Sequence, residues 1–241
     1  MSSIQGSLVR AYLYKAVWTL TETSGSGEYY LRVGAETSGV ITMGSSTGAN
    51  IQTLLLAMTQ FTAGDVTVTG DAGGDFTITF LADYAFSGIG VEIANADASA
   101  VVAVARTFQT TLVTKSEANG YYKMGVETSL DVNMEIENQD VTSKDSDSWR
   151  ETESQIRQIG LSASNFYAST ENYDKLVGQY KLSLPVVICY TEPNVTGTEQ
   201  IQNFGVYNIN NITQNATFGT NVEFSADFQL TGSPTRVVTG A

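Results

Sequence analysis

The chain has 241 residues, with Lys+Arg 12 against Asp+Glu 25 for a net charge of −13 and no histidine. That balance excludes an electrostatic footprint for gripping phosphates, and the missing imidazole excludes Ser-His or Cys-His nucleophile pairs and His-containing zinc sites. With hydrophobic residues at 42% and aromatics at 10%, the composition is that of a folded chain.

The length accommodates two domains of ordinary size. The single cysteine, Cys189, sits among β-formers in Leu184-Pro185-Val186-Val187-Ile188-Cys189-Tyr190. It can close no intrachain disulfide and is read as a small buried hydrophobe. The opening Met1-Ser2-Ser3-Ile4-Gln5-Gly6 lacks a charged segment followed by an apolar one, and no stretch approaches the roughly 18 apolar residues of a bilayer span. The expectation is assembly in a cytoplasm, with no membrane insertion.

Taken in chain order, Val17–Leu20, Tyr29–Val33 and Gly39–Met43 read as short strands separated by Ser/Gly turns such as Ser24-Gly25-Ser26-Gly27. A helix follows, capped by Asn50, with Ile51, Leu54, Leu55 and Met58 at i, i+3, i+4 and i+7 on a core-facing stripe. Asp65–Thr69 and Asp75–Phe80 alternate strictly and are joined by Gly70-Asp71-Ala72-Gly73-Gly74, a hairpin signal. The set from Gly27 through this hairpin resembles a small β-β-α-β-β module that recurs in large bacterial surface proteins and in phage structural proteins. That resemblance covers about residues 20–95 and implies a fold, with no catalytic residues.

A composition shift at Ala94–Ala100 marks a soft boundary, after which Val101–Ala105 and Phe108–Val113 return to strand. The expected division is residues 1–112 as an N-terminal β-rich module with one helix and 113–241 as a second domain. Acidity is spread over both: residues 1–119 carry five basic and ten acidic side chains, residues 120–241 seven and fifteen.

Residues 120–151 are the most informative. Gly120–Val126 reads as a strand, and then Leu130, Val132, Met134 and Ile136 alternate with polar residues, predicting one buried and one acidic face. Directly after stands Asp140-Val141-Thr142-Ser143-Lys144-Asp145-Ser146, with Trp149 shortly beyond. This string strongly resembles a loop of the major tail tube proteins of long-tailed, siphovirus-like bacteriophages. Ile159–Tyr167 as a strand, Tyr173–Val177 as a short helix, Leu184–Tyr190 as a strand, and a closing hairpin of Asn203–Ile209 with Val222–Gly232 follow the family's order. The resemblance covers about residues 115–232. The module before it departs from the simplest members and leaves open whether the first strand belongs to the tube fold.

The fold this implies is mainly β, an α+β chain: a tail-tube β-sandwich or barrel domain with one short helix, plus the small N-terminal module, expected on the tube exterior. The resemblance further implies a structural virion protein that polymerises as stacked hexameric rings. It would meet tape measure, tail-tip and terminator proteins, and DNA would pass transiently without specific binding. No enzyme activity and no cofactor or metal is expected. Asp140, Asp145, Asp147, Glu151 and Glu153 crowd one region, yet nine acids against two bases between Glu127 and Glu153 read better as a solvated acidic face than as a glycosidase pair. Asp145-Ser146-Asp147 lacks the glycine and terminal glutamate spacing of a calcium loop. Within the tube reading, Glu127, Asp131, Glu135 and Glu137 are the lumen-facing candidates, and Asp140 to Ser146 with Trp149 are the inter-subunit candidates. Two alternatives stand beside it: a glycan- or host-surface-binding virion module, and the inner tube of a contractile tail-like injection particle.

Overall fold

The computed structural model describes residues 10–24, 26–94, 96–108, 115–124, 129–140, 152–167, 170–193, 200–215 and 223–239. In chain order the elements are β1 (Arg10–Tyr14), β2 (Val17–Ser24), β3 (Glu28–Val33), β4 (Glu36–Thr37), β5 (Ile41–Thr42), α1 (Gly48–Leu56), β6 (Val66–Thr69), β7 (Asp75–Phe80), β8 (Val91–Ala94) and β9 (Val101–Arg106). They continue with β10 (Tyr121–Lys123), β11 (Ser129–Asp140), β12 (Thr152–Tyr167), α2 (Thr170–Lys181), β13 (Val186–Pro193), β14 (Gln200–Asn215) and β15 (Glu223–Thr239). The chain is mainly β, and its named strand pairings are antiparallel.

Seven strands form the larger sheet in the order β10-β1-β13-β14-β15-β12-β11. β1 and β10 are neighbours in it although more than a hundred residues separate them, so Val17–Arg106 is inserted between two adjacent strands. The first strand therefore belongs to the larger sheet, the point the sequence leaves open. Its central strands are covered on both faces. Ala11 and Leu13 of β1 join Val186, Ile188 and Tyr190 of β13 in one core, under Leu176 of α2 and Phe86. Tyr12 and Tyr14 join Val187, Cys189, Phe204 and Tyr121 in another. Two-sided burial explains why Pro185–Tyr190 reads as an apolar run rather than an alternation.

The inserted segment has its own core. β6-β7-β2-β9 form a four-stranded sheet, β3 pairs with β4, β5 and β8, and α1 buries Ile51 and Leu55 against them; Met58, expected on the helix, lies past its end yet joins the same core. Leu54 packs against the same core while partly exposed. The helix begins two residues before the expected cap: Thr47 Oγ1 accepts from Asn50 N–H, so threonine rather than asparagine satisfies the free amide. α2 extends over Thr170–Lys181, well beyond the expected Tyr173–Val177, because Leu176 anchors it and the Glu171–Lys175 pair supports its first turns. Gly39–Met43 contributes strand only at Ile41–Thr42. Of Phe108–Val113, residues 109–113 lie outside the described residues.

One segment joins the two parts. Ala85 O accepts from Ala16 N–H at 2.8 Å, Phe86 O accepts from Val187 N–H at 2.8 Å, and Gly88 N–H donates to Pro185 O at 2.6 Å. A Cβ at Gly88 would stand 2.7 Å from Val206 and 2.9 Å from Pro185, so only glycine fits this approach. Arg106, at the end of β9, donates to the carbonyls of Ser87, Gly88 and Ile89 and lies 4.4 Å from the Trp18 ring centroid. Burial lowers its guanidinium pKa to about 10.

Candidate assembly surface

Among the described residues β11 is the outermost strand of the seven-stranded sheet, bonded to β12 on one side only. It is twelve residues long. A long open edge is a template for pairing with another chain. Its apolar side emerges from the core between Leu130 and Met134: Leu130 is 7% exposed, Val132 is half-buried and Met134 is 62% exposed. The partners in β12 follow suit, with Ala163 and Leu161 buried and Ile159, opposite Met134, half-buried. At Met134 this hairpin therefore presents apolar surface that the described residues do not cover.

The opposite face is polar in the described rows. Cross-strand register sets Asp131 opposite Ser162, which lies opposite Asp227 in β15, and Asp227 lies opposite Asn211 in β14. The next row runs Asn133, Gly160, Gln229, Asn208. Ser162 Oγ and Asp227 Oδ1 are hydrogen-bonded. Among the described side chains in these rows none is basic, and Asp131 and Asp227 are exposed. The arrangement can repel a polyanion, offer amide and hydroxyl groups to water, and hold no phosphate by charge.

Of the lumen-facing candidates, Asp131 lies in these rows. Glu135 and Glu137 belong to the same strand, at register positions opposite Gln158 and Ile156. Glu127 lies outside the described residues, as do Val141, Thr142, Ser143, Lys144, Asp145, Ser146 and Trp149, while Asp140 ends β11. Asp227 is the carboxylate that sequence alone does not single out; its signal is the alternation of Phe224, Ala226 and Phe228, all buried, which turns residue 227 outward.

A match to the family described as phage tail tube protein spans residues 107–236, over half of the chain. The chain belongs to the phage tail tube protein family. It is thus a structural component of the tail of a phage-like particle, as the tube resemblance leads one to expect. The match runs from β10 to β15, while β1, outside it, completes the same sheet. Comparison with curated proteins finds no match. Solved structures similar to this tail tube protein include the tail of an empty gene transfer agent particle with C6 symmetry, at 15% identity over 48% of this chain and 85% of that one, TM-score 0.42. Another is the virion of a native gene transfer agent particle, at 18% identity over 50% and 89%, TM-score 0.40.

Proposed function

We propose that this tail tube protein forms hexameric rings that stack into a tube, and that the face carrying Asp131 and Asp227 lines the conduit through which DNA leaves. The observation that carries this reading is the pairing of a β11 edge, open among the described residues, with rows around Asp131 and Asp227 that hold no described basic side chain. Neighbouring copies close the edge, extending one sheet from subunit to subunit and covering the apolar side at Met134. The polar rows then face inward. At physiological salt the Debye length is about 8 Å, so carboxylates on a narrow wall act on DNA that comes close and keep it from adhering. The inserted segment Val17–Arg106 sits on the outside, and the Asp140–Ser146 loop with Trp149 meets a neighbouring subunit or ring. Glu127, Glu135 and Glu137 add to the lumen charge.

Particles carrying Asp131→Lys with Asp227→Lys test the conduit. Slower DNA release with a steep dependence on salt is expected, because lysine on the wall binds phosphate by counterion release. Release at wild-type speed and salt dependence would contradict a lumen role for this face.

A further inference from the structure

α2 carries a second surface with no role in the sheet. Asp83, Glu171, Asp174, Lys175, Gly178, Gln179 and Leu182 line a cleft of about 320 Å³ between α2 and the short 3₁₀ turn Ala82–Tyr84. Residues 171, 174, 175, 178 and 182 follow one another at helical spacing, so one helix face forms its wall.

Three observations define what the cleft accepts. Glu171 is tied to Lys175 at 2.9 Å, whereas Asp83 and Asp174 are exposed and have no ion pair among the described residues. Gln179 is 1% exposed and donates from Nε2 to Asp83 O at 2.6 Å, and its Oε1 has no hydrogen-bond partner. A buried amide oxygen left unpaired costs about 1–3 kcal/mol. Gly178 stands inside the helix, where glycine costs about 0.5–1 kcal/mol relative to alanine, although a Cβ there would meet nothing within 4 Å. Its one cationic donor, Lys175, is tied to Glu171, so the rest of the cleft offers acceptors, an open floor, and an apolar end at Leu182, which is 60% exposed.

We infer that this cleft receives an arginine or lysine side chain from a second copy of the chain, its ammonium or guanidinium group bonding Asp83, Asp174 and Gln179 Oε1 and its aliphatic stem passing Gly178. This rests on the tube reading for the identity of the partner. Charge complementarity selects it: copies of net charge −13 repel unless a cation on one meets a carboxylate on the next. Arg10, Lys123, Lys181 and Arg236 are exposed and have no carboxylate partner among the described residues.

The test compares wild-type protein with Gly178→Leu and Asp174→Lys by sedimentation and negative-stain microscopy as concentration rises. Gly178→Leu fills the cleft while improving helix propensity, so its melting temperature is unchanged or raised. Both variants are expected to need about tenfold more protein to assemble, equivalent to about 1.4 kcal/mol. Variants that assemble like wild type would overturn the cleft contact and leave the tube reading intact. Wild type that stays monomeric would refute the tube reading and, with it, the second copy as occupant. Titration of monomers with Nα-acetyl-arginine amide then reads the cleft chemistry alone. Shifts of the Gly178 and Gln179 amide resonances that Asp174→Lys abolishes support a cation site, and no shift at millimolar ligand overturns it.

Discussion

At Cys189 the burial of a single residue is legible from its neighbours. Its place in an apolar run marks it as buried, and it is 0% exposed between Tyr12 of β1 and Phe204 of β14, its cross-strand neighbours. Burial pushes its thiol from an ordinary 9.0 up to about 12. A raised thiol pKa means that the folded state holds its proton where the unfolded chain has lost it, so stability falls as pH rises from about 9 toward 12. Tyr190 is likewise raised, to about 12, and adds to the loss. Melting temperature is therefore expected to be flat below pH 9 and to drop above it, with Cys189→Ala removing the earliest part of the drop; a wild-type curve that stays flat through pH 11 would contradict this. Glu22 makes the complementary case. It is 5% exposed, accepting from Tyr29 O–H at 2.9 Å and Gly44 N–H at 3.0 Å. Glu22→Ala leaves both donors without an acceptor and is expected to cost about 1–3 kcal/mol in urea unfolding. Nothing in the sequence marked this carboxylate, since its partners lie 7 and 22 residues away.

At the scale of elements, what sequence reveals depends on how many faces are buried. The β6–β7 hairpin has one solvated face, so its alternation and glycine-rich turn are legible, and the observed register Val66 with Phe80 through Thr69 with Thr77 follows from them. β1 is the opposite case. Arg10-Ala11-Tyr12-Leu13-Tyr14 is buried on both sides from Ala11 onward, so it shows no amphipathic alternation, and its partners are Lys123–Tyr121 and Thr191–Ile188, far along the chain. α2 was legible only around its anchor, because Gly178 and the charged first turns dilute its apolar stripe. The acidic side of β11 was legible at Asp131 from alternation, whereas its open edge was not, since an edge is a property of sheet order. Met134→Asp tests that edge: the monomer is expected to change by less than about 0.5 kcal/mol, because the side chain is 62% exposed, while assembly is lost. Normal assembly of a folded Met134→Asp protein would count against the β11 edge as an inter-subunit surface.

For the molecule as a whole, the insertion of Val17–Arg106 between β1 and β10 makes the joint at Ala85–Gly88 the point where the smaller part takes its position from the larger. Gly88→Val drives a side chain into Val206 and Pro185 and is expected to cost about 1–3 kcal/mol. If the inserted part lies outside the tube, the same change alters its orientation on the particle while leaving the tube diameter constant, a difference visible in averaged images. Polymerisation through the larger sheet is open to direct observation by electron microscopy of the purified protein at rising concentration. Hollow tubes or six-fold rings with a central channel are expected. A monodisperse monomer at every concentration would contradict it.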